Sequence, residues 1–171
     1  MKLLTLFSWE ALLLGGMLAA FMLGAVVRGV RWNHTPSVPV GLYMASKNGQ
    51  FLEFCPSEPW AGLSVARDYR PAAVIGGCPD RRQPLLKRIV GEPGDIIFYD
   101  EQGVWVNGQP VKQSKPSAKD TAGRPLEHFA WGFYDLKPGQ YWVMGDHPMS
   151  FDSRYFGPVD VAQIRNRLKP L

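Results

Sequence analysis

The sequence is poor in residues that bind metals. It has two cysteines, Cys55 and Cys78, and three histidines, and the cysteines do not form a CxxC unit. A structural zinc site needs four closely spaced cysteine or histidine ligands. We therefore expect no metal and no other cofactor. The two cysteines would form a disulfide in an extracytoplasmic domain and would stay free and buried in a reducing cytosol.

The sequence also lacks a strong excess of charge of one sign. Its 19 Lys and Arg residues against 15 Asp and Glu give a net charge of +4. Half of that excess comes from Lys2, Arg28 and Arg31 against Glu10 in the first 34 residues. Proteins that bind nucleic acid usually present a dense basic face, so we expect no nucleic-acid partner. The two arginines instead predict contact with an anionic lipid surface.

Long apolar runs are absent except at the N-terminus. Residues 11–27 carry no charge, and mostly apolar sequence extends back to Leu3 with Glu10 as the interruption. A helix needs about 20 apolar residues to cross the hydrocarbon core of a bilayer, so this run predicts one transmembrane helix. A cleaved signal peptide is the alternative. No Ala-x-Ala pattern follows the run, which favours a retained anchor.

The remainder, residues 31–171, is expected to form one mostly β domain with long loops, preceded by residues 1–30 as anchor or signal segment. Short runs of Val, Ile, Tyr, Phe and Trp are separated by many of the 15 prolines and 18 glycines. This pattern is typical of strands and turns, and Asn107-Gly108 predicts a two-residue hairpin turn. The predicted strands are Val38–Ala45, Leu85–Val90, Asp95–Tyr99, Gly103–Val106, Gln109–Val111 and Gln140–Met144, with a short helix at Leu63–Tyr69 and a mobile loop at Lys112–Pro125.

Three segments carry residues that suit nucleophilic catalysis. In the first, Pro36 and Pro39 flank Ser37 and stiffen the chain around its hydroxyl. In the second, Lys87 lies in an apolar strand that precedes a Gly-Pro turn. The third, residues 145–157, contains several polar side chains. Taken one at a time, these segments are more typical of a loop serine and a solvated lysine, and the third also fits a polar turn closed by an ion pair.

Taken together, the three segments resemble the type I signal peptidase family, a β-rich group of Ser/Lys peptidases. Lys-Arg-Ile-Val-Gly-Glu-Pro-Gly-Asp at 87–95 is similar to the family's lysine box. Gly145-Asp146 followed by Ser150-x-Asp152-Ser153-Arg154-x-x-Gly157 is similar to its last box. Ser-Val-Pro-Val-Gly-Leu-Tyr at 37–43 resembles the conjugative-transfer branch, the TraF-like peptidases that mature pilin subunits. His147 departs from the family pattern, which often has Asn there.

The resemblance implies that Ser37 is the nucleophile and Lys87 its general base. A free lysine has a pKa of about 10.4, so the Lys87 amine must be desolvated to be neutral, and Leu86 and Ile89 are the expected apolar neighbours. The resemblance also implies supporting roles: Thr35 at the oxyanion beside the Ser37 backbone N–H, Ser150 orienting the Lys87 amine, and Asp152 and Arg154 as an ion pair. A substrate that binds as an added strand would lie along Val38–Met44, so Val38, Val40 and Tyr43 are expected to line the substrate groove.

The predicted function is that of a membrane-anchored serine endopeptidase that processes exported or membrane-inserted precursors. Conjugative pilin subunits are the expected substrate, with hydrolysis or head-to-tail joining as the outcome. The expected location is the bacterial inner membrane, with the catalytic domain on the periplasmic side. A general leader peptidase and a non-catalytic periplasmic scaffold of a secretion or pilus apparatus remain alternatives. The presence of Ser37, Lys87 and Ser150 together argues against the scaffold.

Overall fold

The computed structural model describes residues 9–27, 29–74 and 76–171. The elements in chain order are α1 (Trp9–Val27), β1 (Arg31–Asn33), β2 (Gly41–Ala45), β3 (Phe51–Phe54), α2 (Trp60–Ala66), β4 (Leu85–Gly91), β5 (Ile96–Asp100), β6 (Gly103–Val106), β7 (Gln109–Pro110), β8 (Gly132–Asp135), β9 (Gln140–Met144), α3 (Ser153–Phe156), β10 (Val159–Asp160) and β11 (Ile164–Pro170).

The N-terminal helix α1 exposes apolar side chains, among them Trp9, Leu14 and Met17. Across the described ranges, no helix combines the length and apolar character needed to cross a bilayer. The predicted transmembrane helix is therefore not confirmed, and its first residues, 3–8, lie outside the described part of the chain.

The mostly β prediction is confirmed by two antiparallel sheets. The main sheet has seven strands in the order β1-β2-β11-β3-β4-β9-β10, and the small sheet has four in the order β7-β6-β5-β8. The hairpin predicted at Asn107-Gly108 joins β6 to β7, and both residues have positive φ, 49° and 79°. Such a turn matches the twist of the strands it connects.

Strand β9 joins the two sheets because both of its faces are buried. Val143 packs into one core cluster with Leu52 and Leu85 of the main sheet. Trp142 and Met144 point the other way, into a second cluster formed with the small sheet. Successive side chains of a strand alternate between faces, so one strand can serve both cores. The end of β9 is thereby fixed, and residues 145–157 follow directly from it.

The loop predicted to be mobile, 112–125, is anchored at two buried side chains. The Ser114 hydroxyl accepts a hydrogen bond from the Val104 N–H at 2.8 Å. The Asp120 carboxylate accepts hydrogen bonds of 2.7 Å from both the Tyr69 hydroxyl and Arg124 Nε. The loop prediction is confirmed, but the polar composition did not reveal these two buried anchors.

Candidate active site

Ser37 lies in the loop between β1 and β2, and the sequence had predicted a strand from Val38, directly after it. The strand begins only at Gly41, and residues 34–40 form a loop held by side-chain hydrogen bonds. Tyr43 on β2 donates its hydroxyl proton to the Pro39 carbonyl at 2.7 Å. Val38 is buried beside Tyr43 in a third core cluster. The loop is thus fixed on both sides of Ser37, whose own side chain stays half-buried.

Asn33, which the sequence analysis did not single out, organises this loop from the end of β1. Its Nδ2 donates to the carbonyl oxygens of Thr35, Val38 and Pro39 at 2.9, 3.0 and 3.1 Å. Its Oδ1 accepts from the Thr35 N–H at 3.2 Å and from the Thr35 hydroxyl at 2.9 Å. An Asn two residues before a Thr-Pro pair is a turn signal, but it does not reveal the contacts with Val38 and Pro39.

The Ser37 and Thr35 hydroxyl oxygens are 3.1 Å apart. Thr35 has one hydroxyl proton and gives it to Asn33 Oδ1. A hydroxyl can still accept when its proton is in use. Ser37 is therefore the donor of the pair, and its proton points toward Thr35.

Lys87 is buried, at 4% exposure, on an apolar face of β4. Leu85 and Ile89 flank it on the same face, and Leu52 on β3 lies opposite it. All three belong to or pack against the first core cluster. Leu86, the other expected neighbour, packs on the opposite face of β4. The interpretation of Leu86 was wrong because neighbours in a strand point to opposite sides of the sheet.

Burial lowers the pKa of the Lys87 amine to about 8. The nearby charges oppose one another, since Asp152 and Asp146 raise this pKa and Arg154 lowers it. Within the described residues, the side-chain amine of Lys87 forms no direct ion pair or hydrogen bond. Desolvation therefore decides the direction, because the charged amine loses water and gains no close partner. A pKa near 8 leaves a useful neutral fraction at physiological pH.

Gly145 and Asp146 bring the loop of Ser37 against the strand of Lys87. The Asp146 N–H donates to the Ser37 carbonyl at 2.6 Å. Strands β4 and β9 pair Arg88 with Met144, so Lys87 and Gly145 occupy the next opposed position along the two strands. A Cβ atom on Gly145 would lie 2.8 Å from the Ser37 carbonyl oxygen and would also collide with the Ser150 side chain. Opposed residues point to the same face of a sheet. The three sequence segments therefore meet on one face at Gly145.

Asp152 and Arg154 form the predicted ion pair, and both are fully buried. Arg154 donates through Nε and Nη2 to the two carboxylate oxygens, each at 2.8 Å. Asp152 also accepts from the Gly145 N–H at 2.9 Å. Arg154 further donates to the Pro148 carbonyl at 2.9 Å. The pair holds residues 145–154 in shape, and its matched charges leave Lys87 without a dedicated counter-ion.

Two expectations about the site differ from the structure. The Ser150 hydroxyl oxygen is buried and has no hydrogen-bond partner among the described residues, so the expected bond to the Lys87 amine is absent. Of the three groove residues, Val38 and Tyr43 are each 1% exposed and belong to the core, whereas Val40 is exposed. The groove interpretation failed for Val38 because residues 34–40 form a loop, and for Tyr43 because its side chain lies on the buried face of β2, opposite the exposed Leu42.

A second ion pair, which the sequence analysis missed, lies beside the site. Arg88 donates to both carboxylate oxygens of Asp146, at 2.9 and 2.7 Å.

Cys55 and Cys78 are joined in a disulfide that connects the end of β3 to the segment after α2. This pairing matches the extracytoplasmic reading of the two cysteines.

Comparison with known proteins shows which family the sequence matches. Residues 3–170 match the family model described as "Signal peptidase, peptidase S26". The chain is 34% identical to the plasmid transfer protein TraF of Escherichia coli over 92% of each sequence. It is 30% identical to the conjugal transfer protein TraF of Agrobacterium fabrum over 92% of this chain and 90% of that protein. It is 35% identical to signal peptidase I V of Bacillus subtilis over 50% of this chain and 55% of that one.

Proposed function

The chain belongs to the S26 signal peptidase family, and on that basis we propose that it is a serine endopeptidase with Ser37 as nucleophile and Lys87 as general base. The observation that carries the proposal is the burial of Lys87 on the face where Gly145 contacts the Ser37 loop. A serine hydroxyl needs a base, and a lysine can serve only when it is neutral. The pKa of about 8 for Lys87 meets that requirement.

In the proposed reaction, the Ser37 hydroxyl rotates away from Thr35 and gives its proton to the neutral Lys87 amine. The Ser37 oxygen bonds to the substrate carbonyl carbon, and the carbonyl oxygen becomes an oxyanion. The peptide C–N bond then breaks, and the protonated Lys87 returns the proton to the leaving amine. An acyl-enzyme remains on Ser37. Attack by water releases a linear product, and attack by a substrate amine releases a joined one.

Two donors are proposed for the oxyanion. The Ser37 backbone N–H has no acceptor in the described part of the chain and is free to donate. The Thr35 hydroxyl lies 3.1 Å from the Ser37 hydroxyl and donates to Asn33 in the free protein, so it must turn to reach the oxyanion. Removing one such donor typically costs about 3–4 kcal/mol of transition-state stabilisation. Ser150, buried against Gly145 with an unused hydroxyl, is proposed to contact Lys87 once substrate excludes water.

The proposed substrate is an extended segment of a membrane-inserted precursor, with conjugative pilin as the first candidate. Strand β1 is at the edge of the main sheet, so a peptide can pair with it next to Ser37. Trp32, Val40 and Leu42 expose apolar side chains around the same hairpin. The similarity to conjugal transfer proteins over nearly the whole chain favours pilin over general exported precursors.

Location at the periplasmic face of the inner membrane is part of the proposal. The disulfide fits an oxidising compartment, and the exposed apolar side chains of α1 fit association with a bilayer. Fractionation of cells that express the full chain tests this, because a periplasmic protein without membrane association would appear in the soluble fraction.

The enzyme assignment is tested by covalent labelling. The purified full chain is treated with a β-lactam of the kind that acylates serine, and peptide mass spectrometry locates the adduct. We expect the adduct on Ser37 and none in the Ser37→Ala variant. Lys87→Arg is the second control, because its guanidinium stays charged and cannot act as a base. A folded protein that gains no adduct on Ser37 would favour the scaffold role.

The pilin assignment is tested separately by co-expression with pilin precursors and with a general exported precursor. Pilin processing alone, abolished by Ser37→Ala, supports the proposal. Processing of both precursors at similar rates supports the general leader peptidase instead. The mass of the pilin product also separates hydrolysis from joining, since the linear product is heavier by one water.

A further inference from the structure

Asn33 controls which way the two hydroxyl protons beside the nucleophile point. We infer that Asn33 is a positioning residue for the reaction, acting through the Thr35 hydroxyl. The inference rests on the proposed function. It goes further by giving Asn33, at the end of β1, a part in catalysis besides its part in holding the loop.

The orientation of the Asn33 amide is fixed by its surroundings. Three carbonyl oxygens, those of Thr35, Val38 and Pro39, lie within 3.1 Å of Nδ2. A carbonyl can only accept, so the NH₂ group must face these three oxygens. Asn33 is 7% exposed and has little room to turn over. Its Oδ1 therefore always faces the Thr35 N–H and hydroxyl.

Because Asn33 Oδ1 is fixed, it determines the direction of both hydroxyl protons before substrate binds. The Thr35 proton is held by Asn33 Oδ1, so Thr35 presents a lone pair to Ser37 and receives the Ser37 proton. The Ser37 oxygen is held in place in this way. During attack the Ser37 proton leaves for Lys87, and the Thr35 lone pair is released. The Thr35 proton can then turn from Asn33 to the oxyanion.

A loop clamp with no catalytic part makes a different prediction. The Nδ2 contacts hold the loop, and they would do so whatever side chain occupied position 35. Only the Oδ1 contact depends on the Thr35 hydroxyl. The two roles can be separated by asking whether the effect of changing Asn33 depends on that hydroxyl, which a double-mutant cycle measures directly.

The experiment measures kcat and KM for native protein, Asn33→Ala, Thr35→Val and the double variant. Thr35→Val keeps the shape of the side chain and removes the hydroxyl. We expect Thr35→Val, which removes an oxyanion donor, to lower kcat by about 100- to 1,000-fold. Asn33→Ala, which misplaces that donor, should lower kcat by about 10- to 100-fold, and both variants should keep KM within about threefold. The loss of kcat caused by Asn33→Ala should be at least about threefold larger in the Thr35 background than in the Thr35→Val background, where only the loop contacts of Nδ2 remain to be lost. The pH at which kcat/KM reaches half its maximum should stay unchanged, because Lys87 is not moved.

Tyr43→Phe is the matched control. It removes another hydrogen bond that holds the loop, the one to the Pro39 carbonyl, and it has no contact with the Thr35 hydroxyl. Its effect should be the same in the Thr35 and Thr35→Val backgrounds. If Asn33→Ala also has the same effect on kcat in both backgrounds, Asn33 only holds the loop and the inference is overturned.

A second variant covers the case in which Asn33→Ala does not fold. Asn33→Gln keeps both the donor and the acceptor of the amide but moves them by one methylene group, so its loss of kcat should be at least about threefold larger in the Thr35 background than in the Thr35→Val background. Equal effects in both backgrounds would overturn the inference. Acylation of Ser37 in native protein distinguishes failure of this inference from failure of the proposed function. If Ser37 is acylated but the effects of the Asn33 variants do not depend on Thr35, only the role of Asn33 is overturned. If native protein shows neither an adduct nor activity, the proposed function is overturned as well.

Discussion

The amide N–H of Asp146 donates a 2.6 Å hydrogen bond to the carbonyl oxygen of Ser37. This bond ties the loop that carries the proposed nucleophile to the end of β9. Gly145 precedes Asp146 and lies opposite Lys87 in the β4–β9 register. The spacing between Ser37 and Lys87 therefore depends on how closely the loop can approach Gly145.

Gly145→Ala should lower activity much more than stability. The added Cβ would lie 2.8 Å from the Ser37 carbonyl oxygen and would collide with Ser150, so the loop must shift. A misplacement of about 1 Å in an active site can cost about 100-fold in rate. We expect a loss of kcat/KM of about that size. Thermal unfolding of the same variant checks that the domain stays folded.

Ser150→Gly provides a rescue test for this explanation. It removes the side-chain atoms that the new Cβ meets and leaves the 2.8 Å contact with Ser37 in place. The loss of activity caused by Gly145→Ala should therefore be smaller in the Ser150→Gly background than in the native background. An equal loss in both backgrounds would show that crowding against Ser150 does not cause the loss of activity in Gly145→Ala.

Peptidase activity should rise with pH through about 8. The neutral form of the Lys87 amine is the proposed base, and its pKa is about 8. At pH 7 about one tenth of the amine is neutral, and at pH 9 about nine tenths is. We expect kcat/KM to increase up to about tenfold between these values and then level off. Rates on a peptide substrate across pH 6–9.5 measure this, and an activity that falls with rising pH would contradict it.

Asp146→Asn should move that pH profile to lower pH. The Asp146 charge raises the pKa of Lys87, so its removal lowers that pKa. The backbone N–H that bonds Ser37 is retained in the variant. Asp135→Asn is a suitable control because Asp135 is an exposed carboxylate paired with Lys137 and is not among the charges that act on Lys87. A profile that shifts equally in both variants would indicate a general charge effect.

Lys87→Met should stabilise the folded domain at neutral pH. The pKa of Lys87 is about 8 in the folded state and the ordinary 10.5 when unfolded, so the unfolded chain binds more protons between these values. The penalty for burying the charged amine is complete below pH 8 and fades as pH approaches 10.5. It amounts to roughly 3 kcal/mol at pH 7. Met fills a similar volume without a charge.

Urea unfolding of both proteins checks this prediction. The stability advantage of Lys87→Met over native protein should shrink by about 2 kcal/mol between pH 7 and pH 9.5. Comparing the two proteins at each pH cancels the titration of the buried tyrosines, which both share. A variant that is less stable than native protein at pH 7 would show that Lys87 gains more from its neighbours than it loses on burial.

Loss of the disulfide should destabilise the domain with little effect on the chemistry. Cys55 and Cys78 are separated by 23 residues in sequence, and cross-links of this span typically contribute about 3 kcal/mol. The segment they close contains α2 and does not include Ser37 or Lys87. The Cys55→Ser/Cys78→Ser variant should therefore unfold at lower temperature and keep its kcat well below that point. A large loss of kcat at low temperature would mean that the segment also shapes the site.

The site was predictable where a short motif determined it and not where distant segments had to meet. The residues around Lys87 form a strand before a Gly-Pro turn, so its place on β4 followed from local pattern. The role of Asn33 depends on the positions of the Val38 and Pro39 carbonyl oxygens in the folded loop, which no local sequence pattern predicts. The sequence did not predict strand β3 because it contains Glu53. The burial of that carboxylate is stabilised by a hydrogen bond from Arg31 on β1.

Strand β11 was missed for a related reason and has its own consequence. Its sequence alternates weakly, and only Leu168 is buried along it. Yet β11 lies between β2 and β3 in the main sheet, so the strand after the nucleophile loop has no place in that sheet until residues 164–170 have been made. A growing polypeptide would therefore carry Ser37 without an assembled active site for more than half of its synthesis, and it could not cleave a substrate before β11 had joined the sheet.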